Sequence, residues 1–201
     1  MYIRNVNSLF FTKPSLCTET PSLDFTPPLF RRRLSQLTKM VIQVIHSQIE
    51  EYNCGDIKQF LISDRGEINR QYQILTQLFE DEEILPASFS LAVYNTPVGQ
   101  ASLAMKLKSG YSVLFPCGQD FVQGLQTACA AVLSGDEEQI LLVYADEQIT
   151  DDYANLVTND NTPFAFCTIV SAKELYSNSV KIDPSTLNKI TPQDFYKEIS
   201  K

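Results

Sequence analysis

Residues 111–145 read YSVLFPCGQDFVQGLQTACAAVLSGDEEQILLVYA, and their pattern sets the fold. Tyr111 to Phe115 is a short apolar run of strand type, and Pro116-Cys117-Gly118-Gln119-Asp120 is a turn. Phe121 to Leu133 has helical spacing, with small residues at Gly124, Ala128, Ala130 and Ala131 that let a helix lie close to its neighbours. Ser134-Gly135-Asp136 stops it. Ile140 to Ala145 is an unbroken apolar run suited to a strand covered on both faces, and Asp146-Glu147 follows directly.

The same alternation extends upstream. Asn95-Thr96-Pro97-Val98-Gly99 opens a helix, with Pro97 in its first turn, that continues through Ala101, Leu103, Ala104 and Leu107 and is broken by Gly110. Leu37, Met40, Val41, Val44, Ile45, Ile49 and Tyr52 form one apolar stripe, with Ser35 as the expected cap and Asn53 and Gly55 at the stop. Gln43, His46, Ser47 and Glu50 fall on the polar side. Phe60-Leu61-Ile62 is a short buried strand. A second helix is expected from Glu67 to Phe79, with Ile68, Tyr72, Leu75 and Phe79 on one side and the acidic run Glu80 to Glu83 as a solvated end.

The ends are less patterned. Met1 to Leu9 is an opening strand, and Thr12 to Pro28, rich in Pro, Ser and Thr, reads as a loop. Asp151 to Thr162 is polar and loop-like, Phe164 to Val170 is the last strand, and Tyr176 to Lys201 is a polar tail with one amphipathic stretch at Phe195 to Ile199. The expectation is a single domain over residues 1–201, with 1–28 as an irregular strand and loop and 176–201 as a tail. Strands alternating with helices give an α/β class with helices layered on a mainly parallel sheet.

Composition narrows the functional classes. A net charge of −8 opposes sequence-independent nucleic-acid binding and attraction to anionic membranes. No run reaches membrane-span length, and Met1 to Lys13 lacks a signal-peptide pattern, so a cytoplasmic location is expected. Cys17, Cys54, Cys117, Cys129 and Cys167 are odd in number and lack close pairing, which suits free thiols. With His46 as the single histidine, no metal site is expected, and no nucleotide fingerprint is present.

Cys117 carries the one chemical signal. A thiol between a strand end and a helix start feels the positive end of the helix dipole, which favours the thiolate that accepts an acyl group from a thioester. Asp120 acts against this by like-charge repulsion. Catalytic nucleophile and packing residue both stay open for Cys117. Cys129 and Cys167 read as core thiols.

In this region the chain resembles the N-terminal half of β-ketoacyl synthases. Asn95 to Gln100 is similar to the loop before their nucleophile region, Tyr111 to Cys117 to their strand and elbow, and Gly124 to Asp136 to the nucleophile helix and its turn. Arg31-Arg32-Arg33-Leu34-Ser35, Phe89 to Asn95 and Leu141 to Glu147 resemble stand-alone, chain-length-factor-type members associated with fatty-acid, polyketide or aryl-polyene pathways. The resemblance implies half of a thiolase-like fold. It also implies an accessory subunit in acyl chain extension, non-catalytic alone, because the family's catalytic histidines belong to the second half. Whether the chain is an enzyme is left open, the alternative being a cysteine-dependent acyl-transferring enzyme completed by a partner chain. Expected partners are a complete ketosynthase in a heterodimer, or a second copy, with Tyr111 to Phe115 as a candidate interface. Arg31, Arg32 and Arg33 are candidates for binding a partner or an acidic acyl carrier protein; pairing with the domain's own acids is the alternative. No cofactor is implied beyond a carrier-bound acyl group.

Overall fold

A computed structural model describes residues 8–116, 120–156 and 161–201. In chain order the strands are β1 (Leu9–Phe11), β2 (Ser15–Cys17), β3 (Gln59–Ile62), β4 (Tyr111–Leu114), β5 (Gln139–Asp146), β6 (Phe164–Ser171) and β7 (Val180–Ile182). The helices are α1 (Pro28–Arg31), α2 (Gln36–Tyr52), α3 (Ile68–Asp81), α4 (Pro86–Phe89), α5 (Thr96–Met105), α6 (Phe121–Leu133) and α7 (Pro192–Ile199).

The strands form one mixed sheet in the order β4-β3-β5-β6-β1-β7, with β2 also on β6. β3 runs parallel to β4 and to β5, pairing Ile62 with Leu114 and with Tyr144. β6 then turns antiparallel to β5, and β1, β2 and β7 extend that antiparallel half.

Period-two alternation divides each central strand between two cores. Ile140, Leu142 and Tyr144 of β5 face one core together with Phe60, Ile62, Phe166 and Val170. Leu141, Val143 and Ala145 face the other with Leu61, Ala165, Cys167 and Ile169. α6 and α7 cover the first core; α2 and α5 cover the second. The result is a three-layer helix–sheet–helix sandwich, the α/β half-unit expected from the sequence.

Local chemistry explains the element ends. The Ser35 hydroxyl accepts from Thr38 N at 3.0 Å and caps α2, and Asn53 closes it in the left-handed region at φ 46°. α6 approaches β3 so closely that a Cβ on Gly124 would lie 2.9 Å from Ile62 Cγ2. No other residue fits that contact without displacement.

Both chain ends depart from the sequence reading. The expected opening strand at Met1 to Leu9 lies largely outside the described residues; the observed strand is Leu9–Phe11. The expected loop at 12–28 contains β2. Pro14 lacks an N–H and interrupts the ladder, yet buried side chains bridge the gap: Thr12 Oγ1 accepts from Ile169 N at 2.9 Å and from Gln48 Nε2 at 2.7 Å. Residues 176–201 are not a free tail. β7 pairs with β1, and α7 seats Phe195 and Ile199, 0% and 1% exposed, in the first core. The segment is polar because one amphipathic face of eight residues suffices to anchor it.

Candidate functional site

The strand and helix that flank Cys117 lie where the sequence places them. β4 ends at Leu114, Pro116 is buried, and α6 begins at Phe121. Cys117 itself lies outside the described residues. Asp120 is the N-cap of α6: its carboxylate accepts from Val122 N at 3.1 Å. Its charge is thereby directed onto the helix start.

A cavity of about 490 Å³ opens beside this helix start, at the carboxyl ends of β3 and β5. Asp120, Phe121 and Phe164 line it together with Asp64, Tyr144 and Asp146. The parallel register explains the polar wall: Ile62 pairs with Tyr144, so Asp64, two residues past β3, comes beside Asp146, the last residue of β5. Asp146, 5% exposed, accepts from Ser63 Oγ at 2.8 Å, Tyr144 OH at 2.6 Å and Arg65 N at 3.1 Å. Asp64 Oδ1 is buried without a hydrogen-bond partner.

Desolvation, then the charge of Asp146, pushes the Asp64 carboxyl up to about 6. Burial raises Asp146 as well, and burial followed by both aspartates raises the Tyr144 phenol. Asp64 therefore holds its proton to a higher pH than an exposed carboxylate does, up to about pH 6. Among the described residues no group of three or more His, Cys, Asp or Glu is placed to hold a metal ion. The sequence reading missed Asp64 and Asp146. Asp146 directly follows the apolar run Ile140 to Ala145, but Ser63 separates Asp64 from Phe60 to Ile62, so no shared local pattern marks the two.

The remaining expected residues scatter. His46 stands on α2 and stacks on Phe25, ring centroids 3.7 Å apart, in the layer across the sheet from α6. Arg31 is engaged within the chain: its Nη1 lies 2.8 Å from Asp24 Oδ1 and also donates to Leu23 O. Arg32 and Arg33 are exposed. Cys129 and Cys167 are fully buried core thiols, and burial pushes Cys129 up to about 12. The apolar side of α3 does not face a core. Only Ile74 of that helix is buried, while Leu75 is 46% and Phe79 84% exposed.

Comparison with known proteins fixes the family. The β-ketoacyl synthase N-terminal domain profile matches residues 12–197, and the chain belongs to that family. A chain of the complex of ketosynthase ApeO with its chain length factor ApeC from Xenorhabdus doucetiae is 25% identical, with a TM-score of 0.63 over 76% of this chain and 62% of that one. The ishigamide ketosynthase/chain length factor is 12% identical, with a TM-score of 0.59 over 75% of this chain and 47% of that one. A β-ketoacyl synthase from Burkholderia phymatum STM815 is 13% identical, with a TM-score of 0.57 over 77% of this chain and 46% of that one. The latter two show the fold alone. The chain thus spans less than two thirds of the structures it resembles. No curated protein matches the sequence. Among the described residues no helix is long and apolar enough to cross a membrane.

Proposed function

We propose that this chain is a chain-length-factor-type accessory subunit. It pairs with a complete ketosynthase during extension of a fatty-acid, polyketide or aryl-polyene chain and does not condense alone. One observation carries the reading: the chain's single histidine stacks on Phe25 across the sheet from the helix that follows Cys117. A condensing enzyme of this family needs imidazole groups to stabilise the developing enolate and thioester oxyanion, and this chain brings none to the elbow.

The partner surface follows from exposure. Among the described residues β4 pairs only with β3, so its other edge is open. Exposed apolar side chains accompany that edge: Tyr111 and Phe115 on and just after β4, and Leu103 at 68% on α5. An open edge with apolar neighbours calls for a covering subunit. Arg32 and Arg33 supply a basic contact for a partner or an acidic carrier protein in an otherwise acidic chain. Co-expression with a ketosynthase encoded nearby, followed by size-exclusion chromatography, tests the pairing. Joint elution is expected; a chain that elutes alone contradicts it, and a dimer of this chain alone selects self-pairing instead.

The second reading, a cysteine-dependent acyl-transferring enzyme completed by a partner, rests on the position of Cys117 between β4 and α6. Iodoacetamide at neutral pH distinguishes the two. Selective rapid labelling of Cys117 supports the enzyme; slow labelling without preference supports the accessory subunit.

A further inference from the structure

Among the described residues, ten of the fourteen large apolar side chains left exposed fall between Leu75 and Phe115. Their exposures sum to about five fully exposed side chains, on the order of 1,000 Å². A solitary domain keeps its apolar patches to a few hundred square ångströms, whereas one side of a standard interface takes about 800 Å².

Contacts within the domain join these side chains into one band. At one end lies the open edge of β4. A groove of about 430 Å³ runs beside it, lined by Tyr111 of β4, Leu103 of α5, and Leu91 and Val93 of the segment after α4. Tyr94 of that segment meets Phe115 edge-on, ring centroids 5.3 Å apart, which ties the segment to the end of β4. At the other end lies α3. Gln71 and Leu75 are one turn apart on the same face of this helix, and Leu78 continues that face. Gln71 Nε2 donates to Ala92 O at 3.1 Å, so this face adjoins Val93 and, through it, the groove. α4 packs on α3, and there Phe79 is 84% and Phe89 63% exposed.

The rim at the α3 end is acidic. Glu80, Asp81, Glu82 and Glu83 are all exposed and form no ion pair among the described residues. Such a rim repels an acidic carrier protein or an anionic membrane and favours a partner with Lys or Arg around an apolar centre.

We propose that the ketosynthase covers this whole band, from the β4 edge to α3, with basic side chains of its own facing Glu80 to Glu83. The proposal rests on the accessory-subunit reading and extends its interface from β4 across α4 to α3. The two chemistries divide the work. The apolar centre, once desolvated, holds the complex and sets its dissociation; the acidic rim steers the encounter and sets its rate and salt dependence.

Binding kinetics of the full chain on the immobilised ketosynthase encoded nearby test this division. Leu75→Ser with Phe79→Ser should speed dissociation at least about tenfold and leave association within about twofold. Neutralising the rim with Glu80→Gln, Asp81→Asn, Glu82→Gln and Glu83→Gln should slow association at low salt about tenfold and flatten its dependence on salt. Leu175→Ser removes a side chain of similar exposure beyond β6, outside the band, and should change neither rate. The substituted side chains are exposed, so the unfolding midpoints of the isolated variants should match the native one; Phe89→Ser reads the same band from α4 should the α3 variant lower it. Native binding that Phe115→Glu abolishes but the α3 and α4 variants leave unchanged confines the interface to β4 and overturns this proposal alone. Association of the native chain that is indifferent to salt overturns the part given to Glu80 to Glu83. A native chain that does not bind overturns the accessory-subunit reading and this proposal with it.

Discussion

Gly124 and the buried carboxylates show how single residues set the architecture. A side chain at 124 would enter the 2.9 Å space against Ile62 and push α6 off the sheet. Gly124→Val is expected to cost about 1–3 kcal/mol, read as a lower urea midpoint with unchanged slope. The carboxylates set a pH dependence. Asp64 and Glu147 rise from ordinary values of 3.8 and 4.5 to about 6 and about 7 in the folded chain. Between those limits the native state binds more protons than the unfolded state, so stability falls as pH rises from about 4 to about 7. Asp56, Asp183 and Asp194, held below their ordinary value by hydrogen bonds from neighbouring groups, act in the opposite sense only at lower pH. Thermal midpoints measured from pH 5 to pH 8 should therefore decline, and Asp64→Asn with Glu147→Gln should flatten the decline. Neither carboxylate pair was legible in the sequence. Asp64 and Asp146 meet through parallel strand pairing, which local pattern does not encode.

Among the elements, the long helices and the apolar strands, the four-residue β3 and β4 included, were readable, and the three-residue strands β2 and β7 were not. α2 and α6 follow from apolar spacing and capping residues, and β5 from an uninterrupted apolar run. β2 and β7 have three residues each, too few for any periodicity to register. α3 was legible as a helix, but its stripe gave no account of what covers it; the stripe faces outward. α7 is the opposite case: a modest amphipathic signal that proves to close the first core. Phe195 meets Phe11 edge-on at 5.4 Å and Phe121 at 5.6 Å. Phe195→Ala is expected to cost about 3–5 kcal/mol, a deficit visible as an early unfolding transition by circular dichroism.

At the scale of the whole molecule, one half-unit of a thiolase-like fold closes its own two cores and, among the described residues, leaves the outer edge of β4 open. The sequence conveyed the half-unit through ordered motifs around Cys117, whose flanking strand and helix are present. It did not convey that residues 176–201 help to complete the domain. The exposed edge is where assembly should register. Phe115→Glu places a charge where Phe115 is 58% exposed, so the isolated chain should keep its stability within about 0.5 kcal/mol while losing its partner. A shift in the unfolding midpoint of the isolated variant would assign Phe115 to the fold instead.

The most direct measurement is light scattering on the co-expressed chain and ketosynthase, with thioester condensation assayed in the same fractions. A one-to-one complex is predicted, with condensation in the complex and none in fractions of this chain alone. A chain that emerges as a free monomer, or that condenses thioesters unaided, would contradict the account.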